Sequence, residues 1–359
     1  VSQLRTVQVL GGGAGSSAHV SSLAAGLVAR GVQVTVCAPA GSGRAHGLPA
    51  TGARFVAVPR RSDPAAVAAL RTACTGADIV HAHGLHAAVR AGIALSGRGI
   101  PLVVTWHTRT HADGTRGRLL RLLERRAARA AAVVLGTSWE LVDRARRRGA
   151  RDARLAPAAI PASRFADAPD DGKTRAELGA VGRPLLVSVA QHDQETLLDA
   201  ARGWSALDPV PLLAVAGEGP RAGALRRRIA AEGLPVVLTG GSDGVGELLA
   251  AADIAVLSGR GEGGPLLAQE ALRLGVPLVA ARADGLPELV GEAAELVPPG
   301  DADALSGAVV RLLGDPGRRE RLADSGRAQA ASWPTEDDTV AHVLSVYDEL
   351  AQPLAAARG

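Results

Sequence analysis

Short runs of β-favouring residues alternate with helical stripes along the whole of this 359-residue chain, and that alternation leaves few folds open. Val7–Leu10 reads as a strand and runs into the turn Gly11-Gly12-Gly13-Ala14-Gly15. Val20, Leu23, Ala24 and Leu27 then fall at i, i+3, i+4 and i+7, the apolar stripe of a helix, and Gly31 stands where that helix should end. Val32–Val36, Phe55–Val58, Ile79–Ala82, Leu102–Thr105 and Ala132–Leu135 repeat the strand signal, with helical patterns between them. Strands separated in this way by helices point to a parallel sheet covered on both faces.

The alternation is interrupted once, by the polar, turn-rich stretch from Ala166 to Lys173. A second series then runs through Leu185–Val189, Leu212–Ala216, Val236–Leu238, Ile254–Leu257, Leu278–Ala280 and Glu295–Val297. The expected organisation is an α/β domain over 1–165, a linker over 166–182, a second α/β domain over 183–335 and a closing helix over 336–359. Val340, Val343, Leu344 and Tyr347 give the closing helix its stripe, and Thr335 with the acids after it makes a suitable start.

Composition narrows the class. Hydrophobic residues make up 47% and charged residues 21%, as in folded globular proteins. No run reaches the ~18 apolar residues of a membrane-spanning helix. Val1–Leu10 lacks a basic start and a long apolar stretch, so no signal peptide is expected and a cytoplasmic location is the default. Cys37 and Cys74 are too few for a disulfide scaffold or a zinc cluster, and their apolar neighbours mark them as core.

The net charge of +4 conceals a split. Residues 1–169 carry 23 arginines against 8 acids, giving +15, whereas residues 170–359 carry 17 Lys and Arg against 28 acids, giving −11. Much of the positive charge lies in two stretches, Arg116 to Arg129 with leucines between, and Arg144 to Arg154. The readings are solvated helix faces, or a domain facing anionic lipid or a polyanionic acceptor at the inner face of a membrane. Without interleaved aromatics or a recognisable motif, nucleic acid is not expected as a partner.

One strand–turn–helix carries chemistry. Ile254–Leu257 is followed by Ser258-Gly259-Arg260-Gly261-Glu262-Gly263-Gly264-Pro265 and a helix stopped by Gly275. Pro265 suits a first helical turn, and the amides after it favour an anion such as a diphosphate. Glu270 lies five residues beyond Pro265, about 7–8 Å along the axis at ~1.5 Å per residue. That offset suits a carboxylate gripping a ribose while the helix end holds phosphates. Glu262, in the turn, would face a sugar beyond the diphosphate. On spacing alone, an ordinary turn with two solvated glutamates is an equal reading.

Six segments in order resemble the retaining, actinobacterial-type glycosyltransferases of family 4. They are Glu262 and Glu270 as E-x7-E; Gly275-Val276-Pro277-Leu278-Val279-Ala280 with Gly285-Leu286-Pro287-Glu288; Val215-Ala216-Gly217-Glu218-Gly219-Pro220-Arg221; Ala251-Ala252-Asp253-Ile254; Asp78-Ile79-Val80-His81-Ala82-His83; and Thr105-Trp106-His107. The resemblance implies a GT-B architecture, two Rossmann-like parallel-sheet domains facing a cleft, with the last helix crossing back to the first. It implies retaining transfer of a sugar from a nucleotide sugar to an acceptor without a metal or other cofactor. Under it, His107 and Glu262 are the catalytic candidates. Glu270 would bind the ribose, and Gly263, Gly264, Leu266 and Leu267 the phosphates and sugar. Gly217, Glu218 and Arg221 would lie at the cleft edge, and Gly12 and Gly13 would let the backbone approach a sugar or phosphate. The alternatives are a degenerate relative that binds without catalysing, and a nucleotide-sugar epimerase of the same architecture.

The second domain departs from the family where an Arg-Leu and then a Lys normally neutralise the diphosphate. Here Val187-Ser188-Val189-Ala190-Gln191-His192 leads directly to the helix of Thr196-Leu197-Leu198, and His192 stands where the Lys is expected among the donor-binding residues. Losing one such donor typically costs about 10²–10³ in rate. Ala158-Ala159-Ile160-Pro161 likewise replaces the family's Asn-Gly-Val-Asp. Gly13-Ala14-Gly15-Ser16-Ser17-Ala18 fits the dinucleotide pattern, but the second strand ends Val36-Cys37-Ala38-Pro39 without the acid that NAD requires. His81, His83 and His86 cluster in sequence. They are expected to straddle a strand end on alternating faces with no carboxylate nearby, so no metal site is expected from them.

Overall fold

A computed structural model describes the chain apart from residues 1–2, 12–13, 41–47, 60–63, 109–113, 160–170, 190–193, 218–220, 241–244, 260–262, 284 and 357–359. It divides into two compact units, Val1–Pro161 with Pro334–Gly359, and Ala162–Trp333.

The first unit is built on seven strands: β1 (Arg5–Leu10), β2 (Gln33–Ala38), β3 (Arg54–Ala57), β4 (Ile79–His83), β5 (Leu102–Trp106), β6 (Val133–Gly136) and β7 (Ala153–Leu155). All pair in parallel, in the order β3-β2-β1-β4-β5-β6-β7. Sequence reasoning missed β7, a three-residue edge strand whose central Arg154 masks its β character. Val7, Val9, Val80, Ala82 and Val104 face helices Pro64–Ala73, Leu85–Ala94 and Gly114–Ala130. Leu10, Ile79, Val103, Val133 and Leu135 face the opposite way, toward Leu23 and Leu27 of helix Ala14–Ala29 and toward the closing helix Glu336–Ala356. The free thiols Cys37 and Cys74 are both buried, and burial pushes them up to about 12 and about 11.

The closing helix packs within this first unit. Thr335 and Asp338 cap its start reciprocally: Thr335 Oγ1 accepts from Asp338 N at 3.1 Å, and Asp338 Oδ2 accepts from Thr335 N at 2.9 Å. Val340, Val343, Val346 and Tyr347 are buried against the sheet side. A Cβ at Gly26 would lie 2.5 Å from a Val340 methyl, so glycine is what lets the two helices approach. Arg154 on β7 clamps Glu349 through two bonds of 3.0 and 2.8 Å.

The second unit has six parallel strands: β8 (Leu185–Val189), β9 (Leu212–Ala216), β10 (Val236–Gly240), β11 (Ile254–Leu257), β12 (Leu278–Ala281) and β13 (Glu295–Val297). Their order is β10-β9-β8-β11-β12-β13, the same doubly wound pattern. The stretch read as a linker over 166–182 contains helix Asp171–Leu178, which belongs to this unit. Arg175 on it bonds Asp253 Oδ2 at 2.8 Å, and the same oxygen accepts from Leu185 N at 2.7 Å. Asp253, from the Ala-Ala-Asp-Ile segment, is thus a structural tie between the entry to β8 and the start of β11.

Candidate functional site

In a doubly wound sheet, ligands gather beyond the carboxyl ends of the strands where the order reverses. Here those points lie between β1 and β4 in the first sheet, and between β8 and β11 in the second. Each carries polar side chains that a purely apolar core would exclude.

At the first switch point four imidazoles meet. His81 and His83 lie on β4, His107 follows β5, and His19 sits on helix Ala14–Ala29. His81 and His83 are two residues apart on one strand and so share a face, which corrects the expectation that they alternate. His86 is exposed on the following helix and takes no part. Gly84, with φ 84°, makes the turn from β4 into that helix. The rings of His81 and His83 lie 4.2 Å apart between centroids, those of His83 and His107 5.6 Å, and those of His19 and His107 5.1 Å. His19, His81 and His83 are buried, whereas His107 is partly exposed.

Burial, with no counter-charge among the described residues, keeps these rings neutral. His19 is lowered to about 4 by burial, and His81 to about 3 by burial and by His19. His83 and His107 fall well below the usual imidazole value, again through burial first and then the neighbouring rings. Ring nitrogens of His19, His83 and His107 all lie within 4.8 Å of one another, a set able to hold a metal ion that differs from the trio weighed on sequence. Two facing atoms of that set, His83 Nδ1 and His107 Nε2, already contact each other at 3.3 Å.

Sequence reasoning missed two members of this cluster. Gln8 is fully buried in β1, between valines, and Tyr347 is fully buried on the closing helix. His83 Nε2 contacts Gln8 Oε1 at 3.0 Å, Gln8 Nε2 donates to the Tyr347 hydroxyl at 2.9 Å, and His81 Nδ1 contacts that hydroxyl at 2.7 Å. A glutamine amid strand valines, and the single tyrosine of the chain, were the available signals.

At the second switch point β11 is followed by buried Ser258, and helix Gly263–Leu274 begins a few residues on. By helix geometry the opening amides have no intrahelical acceptor. Leu267 is buried, Leu266 partly so, and Gly264 is buried at the helix start. Glu270 is only 3% exposed and sits seven residues, about 10 Å, along the axis from Gly263. Gly217, with φ 98°, follows β9, and Arg221 is exposed where helix Ala222–Glu232 begins. Gly12, Gly13, His192, Glu218 and Glu262 lie outside the described residues.

The basic stretches of the first unit resolve into two populations. Glu124, buried on helix Gly114–Ala130, takes Arg144 at 2.6 Å and Arg148 at 2.7 Å. Arg118, Arg121, Arg125 and Arg147 make no ion pair among the described residues and line an open hollow with Arg148 and Leu122. Leu119 and Leu122 stand out of the same helix at 56% and 61% exposure. No helix among the described residues is long and apolar enough to cross a membrane.

Comparison with known proteins fits this arrangement. Residues 14–159 match the family model described as a glycosyl transferase 4-like domain, and residues 173–329 that described as glycosyl transferases group 1. The chain is 31% identical over 280 residues to the alpha-D-kanosaminyltransferase of Streptomyces kanamyceticus, covering 70% of this chain and 71% of that protein. It is 31% identical over 217 residues to a GDP-mannose-dependent alpha-(1-6)-phosphatidylinositol monomannoside mannosyltransferase of Mycolicibacterium smegmatis, covering 55% and 57%. Of another curated relative the chain spans only 27%. Among solved structures, the Anabaena protein HepE in complex with UDP and glucose superposes with a TM-score of 0.79 at 20% identity, over 94% of this chain and 99% of that one. The chain belongs to the family 4-like glycosyltransferases and has their GT-B fold of two parallel-sheet domains.

Proposed function

We propose that this chain is a retaining glycosyltransferase that moves a hexose from a nucleotide sugar to an acceptor, with the donor nucleotide held by the second domain. The observation that carries this reading is the buried Glu270 on the helix that opens at the switch strand β11. A carboxylate one or two turns along from an anion-favouring helix end matches a ribose and a diphosphate on the same molecule. In the reaction the bond from the anomeric carbon to the diphosphate oxygen breaks, and the acceptor oxygen bonds to the same face. The acceptor's proton passes to the leaving oxygen. Stabilising the leaving diphosphate is the main task, and dipoles fixed in advance do it without a metal.

The acceptor side is assigned to the first domain. His107 and Glu262 are the candidates beside the transferred sugar. The arginines without an ion pair among the described residues, and the exposed leucines, on helix Gly114–Ala130 suit an acceptor carried on an anionic lipid surface, with the protein peripheral at the cytoplasmic face. The M. smegmatis relative is named for a phosphatidylinositol-linked acceptor, which supports this reading.

The test is a panel of nucleotide sugars incubated with the protein and followed by proton NMR of the sugar released or transferred. The expected result is turnover of one donor, with the new product first appearing in the donor's own anomeric configuration. An inverted first product would overturn the retaining mechanism. Nucleotide binding without any turnover would favour a binding module, and an isomerised sugar without an acceptor would favour an epimerase.

A further inference from the structure

The polar contacts around the first switch point form one unbroken chain from the closing helix to His107. Thr105 Oγ1 lies 2.7 Å from His81 Nε2, and His81 Nδ1 lies 2.7 Å from the Tyr347 hydroxyl. Gln8 joins Tyr347 to His83, and His83 Nδ1 reaches His107 Nε2 at 3.3 Å. The four intervening side chains (His81, Tyr347, Gln8 and His83) are at most 1% exposed, and Thr105, at the end opposite His107, is 2% exposed. His107 is the member of the chain that reaches the surface.

The direction of every bond follows from one amide. Gln8 Nε2 can only donate, so the Tyr347 oxygen accepts from it, and the hydroxyl proton goes to His81 Nδ1. His81 Nδ1, accepting that proton, carries no hydrogen of its own, so the ring's N–H is on Nε2 and is donated to Thr105. Gln8 Oε1 can only accept, so His83 carries its proton on Nε2. His83 Nδ1 is then a lone pair, and the bond from His107 must be donated by Nε2–H. His107 is left with Nδ1 as its acceptor atom.

We propose that Tyr347 and Gln8 are positioning residues that fix the tautomer of His107, so that this ring presents Nδ1 as a hydrogen-bond acceptor to a substrate hydroxyl. The closing helix is thereby part of the site's machinery as well as a packing element. The role toward substrate rests on the glycosyltransferase reading, whereas the tautomer itself does not. Tyr347 can donate or accept, so it relays the direction that Gln8 sets; without it the amide nitrogen keeps only Thr6 Oγ1, 3.5 Å from Nε2, and the amide can turn. A turned amide would donate to His83 Nε2, shift the His83 proton to Nδ1 and reverse the bond to His107.

The test is long-range proton–nitrogen NMR of ring-labelled histidines in the full chain without substrate, near pH 7. In the wild-type protein His81, His83 and His107 are expected as single Nε2–H tautomers. Tyr347→Phe and Gln8→Leu are expected to introduce an Nδ1–H population at His107. They are also expected to lower kcat on the order of tenfold, less than the 10²–10³ typical of a directly acting donor, with little change in donor KM. Arg154→Ala, which loosens the closing helix without touching the chain, is expected to keep the wild-type tautomer. A wild-type His107 protonated on Nδ1, whether because the chain runs the other way or because a metal sits on Nε2, would overturn the proposal. So would folded Tyr347→Phe and Gln8→Leu proteins with an unchanged His107 spectrum. The wild-type spectrum decides even if both variants fail to fold. A correct spectrum in a protein that turns over no nucleotide sugar would leave the tautomer assignment standing and remove only the catalytic reading.

Discussion

The two domains share a strand order and differ in what they place at its switch point. The first buries uncharged imidazoles there, linked through Gln8 to Tyr347, and carries surface arginines that make no ion pair among the described residues. The second buries a carboxylate, Glu270, on the helix that opens beside the switch strand. Topology fixes where a ligand can sit, and the ionisable groups set there decide what can be held. A neutral, hydrogen-bonding cluster suits hydroxyls, and a helix end with a buried acid suits a nucleoside diphosphate.

The difference should appear first in acid. The buried histidines have folded values below the ordinary 6.5, so the unfolded chain takes up protons first as pH falls. Their contribution is therefore complete above about pH 6.5 and is lost progressively toward about 4 for His19 and about 3 for His81. Between pH 6.5 and 5 each of these two costs about 2 kcal/mol, against a typical domain stability of ~5–15 kcal/mol. His83 and His107 add in the same direction. Pulse proteolysis at pH 7.5 and pH 5 should show the first domain opening in acid. The second, with no buried histidine among its described residues, should remain resistant. Equal loss in both domains would break the contrast.

Much of this architecture was legible in the sequence because strand–helix alternation is a local signal. The strands Leu185–Val189, Leu212–Ala216 and Ile254–Leu257 fall where their apolar runs stand. The chain of polar contacts was not legible, because it joins Gln8 to Tyr347, 339 positions apart, through a packing that no local pattern encodes. The histidines of β4 stand out in the sequence only as a metal question, and the strand's two-residue period is what puts His81 and His83 on one face. Of the sparse tyrosine, the sequence showed only a core stripe position. The roles of Asp253 and Glu124 were hidden for the same reason, since the arginine partner of Asp253 lies 78 residues away and those of Glu124 lie 20 and 24 away.

A middle-sized effect concerns the surface. Replacing Arg118, Arg121 and Arg125 by alanine should weaken binding to vesicles containing anionic lipid on the order of a hundredfold, at about 1 kcal/mol per basic residue. Sedimentation with vesicles at low and high salt measures it, and salt should weaken the wild-type binding in the same direction. The smallest effect is expected at the closing helix. Arg154→Ala removes partly exposed ion pairs with Glu349 and Asp152 and should cost no more than about 1 kcal/mol of thermal stability. Tyr347→Phe, which strips partners from His81 and Gln8 in the interior, should cost about 1–3 kcal/mol. A larger loss from Arg154→Ala than from Tyr347→Phe would mean that the helix is held by its rim and not by its buried hydroxyl.

The claim on which the functional account turns is that the second domain grips a nucleotide through Glu270. Thermal unfolding of the wild-type protein and of Glu270→Ala, each with UDP, GDP or ADP, measures it. One nucleotide should raise the wild-type transition at a hundredfold excess over its Kd by the equivalent of about 2.7 kcal/mol, and Glu270→Ala should abolish that rise. Equal shifts in the two proteins, or no shift with any of the three, would contradict it.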